Sequence, residues 1–245
     1  IYVKIPKFIF YDKKIDFSSP ISTTDREMAQ NELASLKVLA DEWDNNFGVS
    51  FVKYLAYIEE FNAILTEMVY GSLMFKEYRK SDYQKKYKEH VDDRVMTGLY
   101  NFGKSLRSFH NNSSIKSSIR VGEVASKFDS YINFLQSCGV SSKYFKKFSY
   151  AITQLSNNNY ETFQANNLKG IDIRQIFCAK SDALYVIDPG KLTQGYIEID
   201  IARFIVTCRI LYWGSLKILF KKTPNDSYEN NFLDGYYGKE YDSSR

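Results

Sequence analysis

The sequence predicts an α+β chain in two parts, a small β-rich part over residues 1–71 and a larger, mostly helical part over residues 72–245. Three observations predict this. Short apolar runs with a single helical pattern among them fill the first part; apolar residues at helical spacing dominate the second; and two short strand-like runs, 174–178 and 183–187, interrupt those helices. With 44% hydrophobic residues in a chain of 245, a sizeable core can be buried.

Residues 1–10 are rich in Ile, Val, Tyr and Phe and are punctuated by Pro6, which predicts a strand and then an edge or turn. Thr24-x-x-Glu27 has the form of a capping box, and Met28, Leu33, Leu36, Ala40 and Trp43 follow at helical spacing, so a helix is expected over 24–43. Residues 49–58 and 62–69 are apolar runs joined by Glu59-Glu60-Phe61 and read as a strand pair. From Ser72 the pattern becomes helical. Leu99, Phe102, Gly103, Leu106, Phe109 and His110 share one helical face, and Val124, Phe128, Tyr131 and Leu135 share another. Asn and Ser clusters at 111–114 and 156–159 mark loops, and the run 179–182 reads as the turn of a small hairpin. The apolar stretch 199–220 closes the pattern as a buried helix.

Charge and composition exclude several classes of function. The 33 basic and 29 acidic residues are interspersed and leave a net charge of only +4, so no nucleic-acid footprint is expected. Cys138, Cys178 and Cys208 are widely spaced and accompanied by two histidines, which argues against a disulfide framework and a zinc site and for a reducing cytoplasm. Asp200, Arg203, Arg209 and Lys217 break the 199–220 stretch, so no transmembrane segment is expected, nor is a signal peptide. The chain opens on Ile1 inside an apolar run and stops at Ser243-Ser244-Arg245, and we expect it to be a piece of a longer domain.

Several residues stand in an order that phosphoryl transfer would need, since that chemistry rests on charge placed around a triphosphate. Ile1-Tyr2-Val3-Lys4 is a strand-like run ending in lysine, a common feature by itself. Glu32 lies inside the first helix, as either a partner for Lys4 or a solvated carboxylate. Residues 64–71, ILTEMVYG, form an apolar strand ending in Glu67, a short link and a glycine. Residues 184–190, LYVIDPG, deliver Asp188 from an apolar strand into a glycine-containing turn, and 199–204, IDIARF, follow.

This order resembles the aminoglycoside- and choline-kinase-like phosphotransferases, which have a bilobal protein-kinase-like fold. The resemblance implies ATP and Mg²⁺ as cofactors. Lys4 would reach the phosphates and pair with Glu32. The main chain of Glu67 and Val69 would meet the adenine edge, and Asp188 with Gln175 would hold the metal. The acceptor would be the hydroxyl of a small molecule or sugar, met by helices over 118–157. His110 reads as a packed residue rather than a catalyst, and Asp200 as a brace for the catalytic region. A glycine-rich loop over the phosphates would precede Ile1.

The sequence departs from the family at the base. Such kinases place an Asp five residues before an Asn metal ligand; with Gln175 in the Asn position, Gly170 takes the Asp position and Leu168 that of the family's His. Asp172 serves as base only if the loop is shortened or differently wound. Two functions therefore stand: an ATP-dependent phosphotransferase using Asp172, or a catalytically inactive, pseudokinase-like binding or scaffold domain. An unrelated α+β domain is the third reading. Pro189 replaces the family's Phe after the metal-binding Asp, and the Lys- and Tyr-rich run 76–88 reads as a solvated helix face or a contact for an anionic partner.

Overall fold

The computed structural model of the chain describes residues 1–6, 21–77, 93–118, 121–156, 161–168, 171–179, 183–213 and 226–238. The protein is α+β, with two compact units: Ile1–Ser113 together with Ala165–Arg245, and Ser114–Gln164. The boundary expected at residue 71 falls inside the first of these.

In the first unit, Tyr2–Lys4 forms β1, and residues 7–20 of the segment after it lie outside the described residues. Helix α1 (Thr23–Glu42) begins two residues earlier than its expected capping box. Ser22 has the extended conformation an N-cap requires; its Oγ accepts from Asp25 N–H at 3.1 Å, and its own N–H donates to Asp25 Oδ2 at 2.9 Å. Thr24 already lies in the first helical turn, so it cannot cap. At the other end Trp43 is buried, and its indole N–H donates to the Val49 carbonyl at 2.9 Å.

The run 49–58, expected as one strand, is divided between two sheets. Val49–Phe51 (β2) pairs in parallel with β9 (Leu184–Val186), whereas Tyr54–Ile58 (β3) pairs antiparallel with β4 (Ala63–Thr66). The break follows the two cores, since Val49 belongs to the larger and Val52 to the smaller. One sheet has the order β1-β4-β3. The other has the order β2-β9-β8-β5, with β8 at Ile176–Ala179 and β5 at Gly71–Leu73. Helix therefore starts at Met74 rather than Ser72, because residues 71–73 extend the second sheet beside β8. Most of the basic, Tyr-rich run lies outside the described residues.

Helix α2 (Asp93–Ser113) buries Leu99, Phe102, Leu106, Phe109 and His110 along its expected face. It continues through Asn111–Ser113, which the sequence marked as loop, since Ser113 Oγ donates back to the Phe109 carbonyl and accepts from Asn166 N–H at 3.0 Å. Phe102 packs with Phe204 of α5 (Glu198–Trp213) and Phe232 of α6 (Asp226–Tyr237) in the larger core. Residues 214–220 of the expected long helix lie outside the described residues. Helices α2 and α6 approach so closely that a Cβ on Gly235 would stand 2.0 Å from the Tyr100 carbonyl oxygen, and one on Gly103 would stand 2.3 Å from that of Phe232.

In the second unit, β6 (Ile115–Ser118) pairs antiparallel with the first half of β7 (Glu161–Leu168), and α3 (Val121–Ser137) packs on α4 (Lys146–Ser156). Gly139, at φ 86°, turns the chain so that Val140 N–H closes onto the Leu135 carbonyl at 3.0 Å. The face expected to bury Tyr131 and Leu135 leaves both exposed, together with Phe134. A unit of this size has too little interior to cover every apolar side chain it carries.

The helix contact yields a test. Gly235→Ala should lower stability by about 1–3 kcal/mol in urea denaturation, because the new methyl group meets backbone. Gly98→Ala meets only the Met74 side-chain tip and that of Leu184, and should cost less. Equal effects would contradict the close approach.

Candidate functional site

β1 and β4 pair with Lys4 directly opposite Ile64, so both side chains share one face of the sheet. On α1, Ala29, Glu32 and Leu36 recur at helical spacing, and Ala29, Leu36 and Ile64 form the smaller core. Glu32 is thus carried on a buried helix face toward Lys4. The ammonium lies 2.6 Å from Glu32 Oε2 and 2.5 Å from Asp188 Oδ1, so it bridges two carboxylates from distant parts of the chain.

The three side chains differ in burial: 9% of the Glu32 side chain is accessible, 26% of Lys4 and 42% of Asp188. Burial draws the Lys4 ammonium down, but attraction to Glu32 and the bonds to both carboxylates outweigh it and hold its pKa above the ordinary lysine value. Glu32 is pushed up. Burial is the larger cause, Lys4 opposes it, and the like charge of Asp188 adds to it. The cost of burying the carboxylate exceeds what Lys4 returns.

Asp188 reaches this position by leaving the strand. Leu184 and Val186 belong to the larger core, while Tyr185 and Ile187 pack on the smaller, so β9 is covered on both faces. Strict strand alternation would carry Asp188 with Leu184 and Val186. Instead Asp188 adopts φ 55°, a left-handed conformation that Asp tolerates better than most residues, and its carboxylate meets Lys4. After the turn, Leu192 N–H donates to Ser35 Oγ at 3.0 Å, tying the start of β10 (Leu192–Tyr196) to α1 next to Glu32.

The neighbouring loop is fixed from beneath. Asp200, fully buried, accepts from Leu168 N–H at 2.7 Å and lies 3.3 Å from His110 Nε2. His110 Nδ1 lies 2.7 Å from the Tyr236 hydroxyl. His110 is thus a packed bridge between α2, α5 and α6, with both ring nitrogens engaged. Burial pushes the Tyr236 phenol well above its usual range, which keeps it a neutral donor.

Beyond Leu168, residues 169 and 170 lie outside the described residues, so Gly170, the residue in the expected base position, falls there. Asp172 caps the short 3-10 turn Ile173–Gln175 through a bond from Arg174 N–H to Oδ1 at 2.8 Å. The Arg174 guanidinium also binds both of its oxygens, with Nε at 2.9 Å from each and Nη2 on Oδ2. The Asp172 carboxylate is therefore held by its own loop. Gln175 N–H donates to the Asp172 carbonyl at 2.9 Å, and the Gln175 carbonyl accepts from Ile187 N–H at 2.8 Å, so the main chain links Asp172, Gln175 and the residue before Asp188.

The Glu67–Val69 link is less open than expected. Glu67 N–H donates to the Lys53 carbonyl at 2.9 Å, and Glu67 Oε1 accepts from Lys53 N–H at 2.9 Å. Val69 packs against the smaller core beside Tyr185 and Ile187. Its amide and the Glu67 carbonyl have no main-chain partner among the described residues.

Among the described residues no group of three or more His, Cys, Asp or Glu side chains could hold a metal. Mg²⁺ does not require one, since it takes one or two carboxylates and completes its shell with water and phosphate oxygens. Gln175 Oε1 is buried without a hydrogen-bond partner, and its backbone is bonded to the strand end that carries Asp188. The Asp188 carboxylate itself meets Lys4. Ser35, Arg174 and Tyr236 were missed in the sequence. A lone Ser on a helix carries no signal, whereas Arg174 two residues after Asp172 is the pattern of a local side-chain bridge. Neither the family models nor the curated proteins include a match to this chain.

Asp200→Ala should cost about 3–5 kcal/mol in urea denaturation, because it strips partners from a buried N–H and a buried imidazole. A loss below about 1 kcal/mol would remove Asp200 from its bracing role.

Proposed function

We propose that this chain is a kinase-like domain acting as an ATP-dependent phosphotransferase on the hydroxyl of a small molecule or sugar. The observation that carries the reading is the shared ammonium: Lys4 meets both Glu32 and Asp188, which come from a strand, a helix and a turn far apart in sequence. A part-buried lysine held between two carboxylates is the charge arrangement that the resemblance places at the phosphates. On this reading Glu32 orients Lys4 toward the α and β phosphates. Asp188 and Gln175 would hold Mg²⁺, which when bound neutralises charge developing on the phosphates. The Glu67 carbonyl and Val69 amide receive the adenine edge, and Asp200 with His110 keeps the loop from Leu168 in register with the metal pair.

The candidate base is Asp172, in a loop two residues shorter between Asp and amide ligand than the D-x-x-x-x-N spacing. Taking the acceptor proton would require its carboxylate to exchange Arg174 for the hydroxyl. That pairing also favours a second reading, a domain that binds nucleotide without turnover.

The two readings share a binding test and part on a kinetic one. In the full-length protein, Glu32→Gln should leave stability within about 1 kcal/mol, because Lys4 keeps Asp188 and a costly buried charge is removed. The sign agrees: a carboxyl whose pKa is raised on folding contributes stability only at pH below its ordinary value, and loses it as pH rises through the raised one. The same variant should weaken Mg·ATP binding at least tenfold by calorimetry, and Asp188→Asn should do likewise. Unchanged affinity in both would overturn the nucleotide site. If Asp172→Asn abolishes ATP turnover with affinity kept, Asp172 is the base; unchanged turnover would remove it from that role.

A further inference from the structure

The second unit turns apolar side chains to solvent in an ordered way. Tyr131, Phe134 and Leu135 of α3 lie within an arc of about 100° on the helix, and 67%, 64% and 38% of each is accessible. Ala125, Phe128 and Ile132 occupy the adjoining arc and are half-buried, while Asp129, Asn133 and Gln136 take the polar side. At the end of the helix Gly139 N–H closes on the Gln136 carbonyl at 2.9 Å and Val140 N–H on that of Leu135, which returns a further exposed apolar residue to the same end. The small size of the unit accounts for uncovered apolar residues in general, but not for their gathering on one helix face. We propose that this face of α3 lies on an anionic lipid surface, with Tyr131 and Phe134 inserted among the headgroups and Lys143 and Lys146 set against the lipid charge. The proposal is independent of the nucleotide reading.

Charge and shape choose this occupant. Residues 114–164 contain six Lys or Arg against three Asp or Glu, so they hold +3 of the chain's net charge of +4. Lys143, in the 3-10 turn Ser142–Tyr144, and Lys146, the first residue of α4, are both exposed and follow Val140 closely. A second copy of the chain would set this positive unit against its like, whereas the anionic headgroups of a bilayer attract it. The two aromatic side chains stand out from the helix, and a bilayer adapts to such a convex face, where a protein partner has to supply a groove. Apolar insertion and basic charge are each too weak alone and together suffice for stable surface binding. No helix among the described residues is long and apolar enough to cross a membrane, so the contact is with the surface.

The experiment is co-sedimentation of the full-length protein with vesicles of phosphatidylcholine alone and of phosphatidylcholine with about one third phosphatidylserine. Wild type should partition onto the anionic vesicles at least tenfold more strongly than onto the neutral ones. Burial of one aromatic side chain is worth about a tenfold change in partition, so Phe134→Ser and Tyr131→Ser should each lower binding to anionic vesicles by about that factor. Lys143→Gln/Lys146→Gln should remove most of the preference for phosphatidylserine. Phe134→Trp keeps an aromatic ring, should bind as wild type does, and should add indole emission that moves to the blue on anionic vesicles. No binding to anionic vesicles by wild type, equal binding by Phe134→Ser, or an indole at 134 whose emission stays that of water would each overturn the proposal. Self-association that Phe134→Ser abolishes, in a protein that ignores the vesicles, would overturn it in favour of a second copy on this face.

Discussion

One ammonium group organises the first unit of this protein. Lys4 is the place where a strand, a helix and the turn after β9 share a charge, and each of those elements is positioned by its own packing before the charges meet. The order of causes matters. Apolar contacts among Ala29, Leu36, Val52 and Ile64 fix the helix on the sheet, and the ion pairs then use a geometry already present. Burial pushes Glu32 up, while the same contacts hold Lys4 above its ordinary value.

Around that cluster the fold supplies rigidity from two directions. Ser35 takes the amide of Leu192 and so binds the turn carrying Asp188 to the same helix that carries Glu32. Asp200, His110 and Tyr236 hold the end of β7 at Leu168 through a chain of buried hydrogen bonds. Main-chain bonds from Asp172 to Gln175 and from Gln175 to Ile187 join the two supports.

Much of this was legible in the sequence because it obeys local rules. The α2 face of Leu99, Phe102, Leu106 and Phe109 follows helical spacing and is buried, and the apolar run ending at Asp188 reads directly as a strand feeding a turn. The errors arise where tertiary context decides. Thr24 and Ser22 are equally good caps by composition, and only the backbone conformation chooses Ser22. Residues 49–58 look like one strand, yet Val49 and Val52 serve different cores. The left-handed turn at Asp188 and the bridge from Arg174 to Asp172 depend on non-local and rotamer choices that periodicity does not encode.

The central claim is that Lys4, Glu32, Asp188 and Gln175 surround the phosphates and metal of a bound nucleotide. Its most direct measurement is paramagnetic broadening of backbone amides in the full-length protein by Mn²⁺ with a non-hydrolysable ATP analogue. The account predicts that the amides of Gln175, Ile187 and Asp188 broaden first, while that of Val69 shifts as the base docks. Broadening centred elsewhere, or none at saturating analogue, would contradict it.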